Sequence, residues 1–276
     1  MPRALAAGLL LWAWTASAAP PAFDKAFDRM YNFEFPAAHS VLDGYIGQHP
    51  SEPLPYAFKA AAHLFGELDR MGILEGQFFA DDKRIAEKKK MAPDPRIRQQ
   101  FQNAVDNAQA KANTVLAADP NNAEALFAMA VTQGVMTDYM ALVEKRQIAS
   151  LTPAKQSNVY AQRLLKAHPT YYDAYLTTGF TEYVVGSLPF FIRWFIHFDN
   201  VTGSKDRGID LVSRVAKDGH YLKPFAKILL SIAFLRDKKY TQSRDLLAEL
   251  SRDYPSNPLF RKELAKMDTR IGAAAN

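Results

Sequence analysis

The stretch KILLSIAFLRDKKYTQSRDLLAELSRDYPSNPLF, residues 227–260, decides the fold. Its apolar residues recur at intervals of three and four in two successive runs, which is the pattern of a pair of amphipathic helices. Pro255 follows the second run, and proline is poorly tolerated inside a helix. The stretch therefore predicts two helices closed by a tight turn at Pro255.

The same order of a helix, a proline turn and another helix recurs along the chain. It is repeated at residues 103–134 around Pro120 and at residues 158–180 around Pro169. Valine and isoleucine are too scattered for the alternation that is typical of strands. The sequence therefore predicts an all-α protein of about five helix pairs, with a last helix at Pro258–Ile271 that caps the array.

Residues 227–260 resemble a tetratricopeptide repeat. The residues that carry the resemblance occupy packing positions of the family's first and second helices: Leu230, Ser231, Phe234, Leu247 and Leu250. Ser243 departs from the pattern, because the family prefers alanine at that position. The resemblance implies a right-handed α-solenoid in which each helix pair packs on the next.

The turn prolines are spaced too irregularly for a plain repeat of about 34 residues, so we expect insertions. They are predicted near residues 72–95, 134–152 and 187–203, and each falls between the two helices of a pair. In a stacked array of helix pairs, loops of one class emerge along one edge. We therefore expect one edge of tight proline turns and one elaborated edge that carries the three insertions.

The elaborated edge carries apolar side chains from all three insertions. They are Phe78, Phe79, Met136, Tyr139, Met140, Phe190, Phe191, Trp194, Phe195 and Phe198. One interpretation is that the insertions pack on each other and extend the core, since aromatic residues at helical spacing are usually core residues. The other is that they form a cap, which holds an apolar ligand or a partner helix.

The longest apolar stretch, GFTEYVVGSLPFFIRWFIHF at residues 179–198, contains a charge that needs a partner. Glu182 lies among apolar neighbours, and burying a carboxylate without a partner is costly. We expect a buried ion pair with Arg193 or Arg207, and the alternative is a solvent-facing Glu182 at a helix end.

A helix over residues 183–198 would be about 24 Å long, which is short of a bilayer core of roughly 30 Å. We therefore expect this apolar stretch to be covered by a membrane surface or by the protein's own core, and not to span a bilayer.

The order of motifs from residue 179 to residue 260 also resembles a narrower family. GSLP at residues 186–189 and the aromatic residues after it are followed by GSKDRGIDL at residues 203–211 and YPSNPLF at residues 254–260. This order is similar to the C-terminal part of the family of the fungal inclusion-body clearance protein and of outer-membrane tetratricopeptide proteins. The resemblance implies a connection with lipid stores and sterols, and it supplies no catalytic residues.

The first residues predict export. Arg3 is followed by an apolar run from Ala4 to Trp14 and by the small residues Ala16, Ser17 and Ala18, which is the pattern of a signal peptide cleaved after residue 18. The alternative is an anchor helix that stays in place, although the run is shorter than the roughly 20 residues that span a bilayer. We therefore expect a single mature domain, residues 19–276, in the periplasm or secreted.

Composition and motifs favour binding over catalysis. The chain is 48% hydrophobic and 23% charged with a net charge of +5, which is spread thinly, and we expect no nucleic-acid partner. It has no cysteine, and the nucleophile-elbow, Walker, dinucleotide and zinc-helix motifs are missing. No catalytic residue, cofactor or metal is predicted. We expect a non-enzymatic scaffold that binds a protein or peptide, and the alternative is a carrier or sensor of an apolar, lipid-like ligand.

Overall fold

A computed structural model describes residues 20–75, 91–189, 198 and 200–275. This part of the chain contains eleven α-helices and no strand, which confirms the all-α class. The helices are α1 Pro21–Tyr31, α2 Phe35–Gln48, α3 Leu54–Arg70, α4 Pro95–Ala118, α5 Ala123–Asp138, α6 Gln147–Ala167, α7 Tyr175–Ser187, α8 Lys205–Asp218, α9 Lys223–Arg236, α10 Tyr240–Asp253 and α11 Pro258–Ala275. The predicted signal peptide lies outside the described residues.

Prolines and short polar caps fix where helices begin. Proline stands in the first turn of α1, α2, α3, α4 and α9, where its missing N–H removes no helical hydrogen bond. Asp94 caps α4 by accepting hydrogen bonds from the backbone N–H groups of Arg96 and Ile97. Asn122 and Ser204 cap α5 and α8 in the same way. The helices therefore start sharply and the connections stay short.

Each helix packs on the next one along the chain, and α3 packs on α5 as well as on α4. Alanines line these contacts, since Ala57, Ala60 and Ala62 in α3 and Ala108 in α4 are all fully buried. Short side chains allow helices to approach closely. The fold is therefore built from neighbouring pairs with small residues at their crossings.

The closest crossing joins α7 and α8. A Cβ atom at Gly208 would lie 2.5 Å from the backbone nitrogen of Tyr183, and one at Gly179 would lie 2.8 Å from the Cβ atom of Leu211. Both distances are shorter than carbon and nitrogen atoms tolerate. Only glycine therefore fits where these two helices touch.

The first helix packs against turns from the last third of the chain. The rings of Phe27 in α1 and Tyr221 are stacked with centroids 5.3 Å apart. The Asn257 side-chain amide donates to the Tyr31 carbonyl over 2.9 Å. Further along, Phe65 in α3 contacts Phe225 in α9 edge to face at 5.4 Å. The N-terminal and C-terminal helices are therefore joined through one continuous set of contacts.

The connections after α4, α6 and α8 are linked to each other. His168 after α6 forms a hydrogen bond of 2.8 Å with the carbonyl of Asn121 after α4. Asp173, also after α6, accepts hydrogen bonds from the backbone of His220 and Leu222 after α8. These short connections therefore lie side by side.

Several helix boundaries differ from the prediction. Residues 134–152 are largely helical, because α5 continues to Asp138 and is extended by a π-helical turn at Tyr139–Val143 before α6 begins at Gln147. The last helix begins at Pro258 as expected but continues to Ala275. Of the other two predicted insertions, the structure describes only residues 72–75, 91–95, 187–189, 198 and 200–203.

In the described part of the chain, one helical stretch is long and apolar enough to cross a membrane. It is Ala123–Val143, which joins α5 to the π-helical turn, and 50% of its most apolar window is buried inside the protein. Leu126, Phe127 and Ala130 belong to this buried half. Packing between α3, α4 and α6 accounts for the apolar character of these residues.

Candidate functional site

The described parts of the first two predicted insertions meet in one apolar cluster. Ile73 after α3 and Tyr139 after α5 belong to the same cluster as Phe101 in α4. The Tyr139 ring is stacked on the Phe101 ring at 4.3 Å, and Tyr139 is only 2% exposed. The structure therefore places Tyr139 in the core.

The other predicted contact residues are distributed between two places. Met136 packs on the same cluster, and its sulfur accepts a hydrogen bond of 3.2 Å from the Gln109 amide. Met140 is half-buried. Phe198 is buried and contacts α6, where the Lys155 ammonium lies 5.9 Å from its ring centroid. The remaining six lie outside the described residues: Phe78, Phe79, Phe190, Phe191, Trp194 and Phe195.

A buried carboxylate that was not predicted from the sequence lies next to this cluster. Glu67 in α3 is fully buried and receives two hydrogen bonds of 2.7 Å from the Arg70 guanidinium. It also accepts the backbone N–H of Asp94 over 2.8 Å. Burial is the main cause that raises the pKa of Tyr139 to about 12, and the nearby Glu67 adds to it. These groups fasten the start of α4 to α3, and the arrangement is structural.

The predicted partner of Glu182 is only partly the one observed. The Arg207 Nε atom lies 3.7 Å from the carboxylate, but the Arg207 side chain is 55% exposed. Arg193 lies outside the described residues. The closer partners of Glu182 are in the loop before α8, where the backbone N–H groups of Thr202, Gly203 and Ser204 donate over 3.1, 2.7 and 3.1 Å.

These loop contacts set the charge state of Glu182. Burial favours the neutral form and is the largest single influence, but the hydrogen bonds from Ser204, Thr202 and Gly203 together outweigh it, so the pKa is lowered. Gly203 adopts a φ of +69°, which an L side chain rarely takes. The Glu182 carboxylate therefore organises the entry into α8, and this role explains why a charge is buried in an apolar helix.

An open cavity of about 180 Å³ lies between α1 and two later turns, residues 219–222 and residues 254–257. We refer to it as the α1 pocket. It is lined by Asp24, Phe27, Asp28, Tyr31, His220, Tyr221, Pro224 and Tyr254. Its walls are therefore aromatic, and its ionisable groups are two carboxylates and one imidazole besides the tyrosine hydroxyls.

Hydrogen bonds between distant residues hold the walls of the α1 pocket. The Tyr31 hydroxyl donates to the Tyr221 carbonyl over 3.0 Å. The rings of Tyr31 and Tyr254 are 5.2 Å apart and tilted by 46°. At the rim, His220 Nε2 lies 2.6 Å from a carboxylate oxygen of Asp24. Contacts within the protein therefore hold the walls of the pocket together.

The tyrosine hydroxyls of the α1 pocket are kept in their neutral form. Burial is the main cause that raises the pKa of Tyr254 to about 12, and Asp28 contributes to the increase. Burial likewise raises the pKa of Tyr221, helped by Asp24. The phenol groups therefore stay protonated near neutral pH and supply neutral aromatic faces. Within the described residues, no group of three or more His, Cys, Asp or Glu side chains is arranged to hold a metal ion.

The α1 pocket was not predicted from the sequence. The spacing of Asp24, Asp28 and Tyr31 on the predicted first helix was a usable signal, because positions three and four apart share one helical face. Nothing in the sequence connects that face with Tyr221 and Tyr254, which follow about two hundred residues later.

Comparison with models of known protein families found no match, and neither a curated protein nor a solved structure was found to be similar to this chain. The fold and its sites therefore carry the functional argument alone.

Proposed function

We propose that the protein is a non-enzymatic, tetratricopeptide-like scaffold, a right-handed solenoid of helix pairs that binds a protein or peptide without a cofactor. The observation that carries this proposal is the preformed, open α1 pocket. Tyrosine-lined recesses are typical of surfaces that receive an anchor side chain, because a buried aromatic contact contributes strongly to binding.

The size of the pocket supports a peptide over a cofactor. Pockets for drug-sized ligands usually measure about 300–1,000 Å³, and the α1 pocket measures about 180 Å³. It accepts one side chain or a small group of similar volume. The rest of a partner would lie on the surrounding surface of α1 and the two turns.

Native mass spectrometry of the protein purified from its own host tests the scaffold function. We expect the mass of a partner subunit or peptide in addition to that of the chain, which is 30.9 kDa for all 276 residues and smaller once the signal peptide is removed. The same spectrum tests export, since the mature chain should lack residues 1–18. An Asp28→Ala variant should retain less partner than the wild type. The control Asp210→Ala, which changes an exposed residue on α8, should retain as much partner as the wild type. Bare chain in every preparation, without cross-linked partners, would contradict the proposal.

A second candidate function is the carriage of an apolar ligand or contact with a membrane surface. The observation that favours it is a pair of exposed apolar residues four apart on α7, Phe180 at 41% and Val184 at 39% exposure. They precede the aromatic segment of residues 190–198 directly. A fluorescent fatty acid should then bind saturably to the wild type, and this binding should be lost in Phe180→Ser. In liposome flotation at low salt, the protein should float with the liposomes. No saturable signal and no flotation would remove this candidate.

A further inference from the structure

We infer that the α1 pocket receives a cationic side chain, lysine or arginine, from the partner. This inference rests on the proposed peptide-binding function and specifies the chemistry of its anchor. It follows from the charge, the aromatic walls and the size of the pocket, which point to the same class of group.

The charge of the pocket is incompletely neutralised. Asp24 pairs with His220 at the rim. Asp28, which lies one turn further along the same face of α1, has one hydrogen-bond partner within the described part of the chain, the Asn32 amide at 3.4 Å. Arg29 is directed to Glu34 instead. No lysine or arginine is among the described residues that line the cavity. A carboxylate at the mouth of an aromatic recess attracts a cation and repels an anion.

The aromatic walls suit the same ligand. Phe27, Tyr31 and Tyr254 are among the residues that line the cavity. A cation within about 6 Å of an aromatic ring centroid is attracted by the ring face, and the gain grows when the cation is partly desolvated. The methylene groups of a lysine or arginine side chain pack on rings while the charged end reaches a carboxylate. A neutral apolar group would cover the carboxylates without pairing them, which is unfavourable.

The pocket is rigid enough to discriminate between such groups. The Tyr221 carbonyl is held by the Tyr31 hydroxyl, and the Tyr31 carbonyl is held by the Asn257 amide. The Tyr221 backbone N–H donates to the buried Asp173 carboxylate over 3.2 Å. A preformed site loses less conformational entropy when it binds its ligand. The recognition therefore depends on side-chain chemistry more than on a change of shape.

A titration monitored by amide NMR tests the assignment. The probes are the Nα-acetyl, N-methylamide derivatives of lysine, arginine and norleucine, of which norleucine is the neutral match for lysine. We expect saturable shifts at the backbone amides of Asp28, Tyr221 and Tyr254 with the two basic probes. Binding of the norleucine probe should be at least about tenfold weaker. Added salt should weaken the binding of the two basic probes.

Variants separate the charge from the aromatic contribution. Asp28→Asn should weaken binding of the lysine probe about fivefold to tenfold, since one charge interaction near the surface is lost. Asp210→Asn removes the same net charge from an exposed position on α8 and should leave binding unchanged. Tyr254→Phe keeps the ring and should bind normally, whereas Tyr254→Leu should bind several-fold more weakly. Urea unfolding of each variant shows that the fold is retained.

Three results would overturn the assignment: no shifts with the basic probes, equal shifts with norleucine, or unchanged binding in Asp28→Asn. A partner mass in the native spectrum would still support the scaffold function in that case. Failure of the cation assignment and failure of the scaffold proposal are therefore distinguishable.

Discussion

The carboxylate of Asp173 accepts a hydrogen bond of 2.9 Å from the backbone N–H of Leu222, which comes 49 residues later in the chain. The same carboxylate accepts the backbone N–H groups of His220 and Tyr221 over 3.0 and 3.2 Å. Asp173 is only 4% exposed. Burial raises its pKa, and the three hydrogen bonds partly offset that increase. One side chain therefore fixes the turn that forms a wall of the α1 pocket.

Asp173→Asn should lower the free energy of unfolding by about 1–3 kcal/mol, because an amide cannot accept all three hydrogen bonds and a buried N–H group is left unpaired. Urea unfolding followed by circular dichroism measures the change. Asp210→Asn, an exposed carboxylate on α8, is the matched control and should change stability by less than about 0.5 kcal/mol. Equal unfolding midpoints for Asp173→Asn and the wild type would show that the turn does not depend on this carboxylate.

Gly208→Ala should destabilise the protein by about 1–3 kcal/mol or more, because the added methyl group meets the backbone of α7 and the core cannot expand freely. The control is Gly44→Ala in α2, where no atom lies within 4 Å of the added Cβ. This substitution should stabilise by about 0.5–1 kcal/mol, since alanine has the higher helix propensity. Thermal unfolding should therefore show a lower melting temperature for Gly208→Ala and a higher one for Gly44→Ala. A Gly208→Ala variant as stable as the wild type would contradict the close crossing of α7 and α8.

The sequence predicted what depends on neighbours along the chain. Pro258 indicated the start of the last helix because proline is tolerated in a first turn. The helical class followed from the three- and four-residue spacing of apolar side chains. The helix, proline turn and helix expected around Pro120 are present as α4 and α5.

The sequence did not predict what depends on distant contacts. In the sequence, Glu67 is an ordinary polar residue of an amphipathic helix. Its burial depends on a distant contact, the hydrogen bond from the backbone N–H of Asp94 at the start of the next helix. The α1 pocket requires Tyr31 and Tyr254 to meet, and no local sequence pattern encodes a contact between residues so far apart in the chain. The partners of Glu182 were missed for a further reason, since they are backbone N–H groups, which every sequence contains.

Glu182→Gln should lower the free energy of unfolding by roughly 2–4 kcal/mol at neutral pH, because the loop before α8 loses a charged acceptor. Arg207→Gln should cost less than about 1 kcal/mol, since the Arg207 side chain is half-exposed and screened by solvent. Urea unfolding of both variants ranks the two contacts. Similar losses would mean that the ion pair, and not the loop, stabilises Glu182.

The effect of Glu182→Gln should also depend on pH. The pKa of Glu182 is lowered from its ordinary value of 4.5, so its contribution is fully present above that value and is lost as the pH falls through the folded-state pKa. The difference in stability between the wild type and Glu182→Gln should therefore shrink below about pH 4.5. A difference that stays constant down to pH 3 would contradict the lowered pKa.

The fold brings two histidines together. The rings of His39 in α2 and His63 in α3 have centroids 4.0 Å apart, and His63 is only 8% exposed. Burial is the main cause that lowers the pKa of His63 from 6.5 to about 3, with smaller contributions from His39 and Lys59, while Asp43 acts in the opposite direction. Burial also lowers the pKa of His39. Both imidazoles are therefore neutral in the folded protein at neutral pH.

Stability should fall as the pH decreases from 6.5 towards 3, because the unfolded chain binds protons that the folded His63 excludes. The slope for one imidazole is at most about 1.36 kcal/mol per pH unit. His63→Leu should reduce this slope, as measured by urea unfolding between pH 7 and pH 4. Leu64→Ala, at the fully buried neighbouring position, should lower stability by about 2–5 kcal/mol at every pH and leave the slope unchanged. If His63→Leu keeps the wild-type slope, protonation of this pair does not limit the acid stability of the fold.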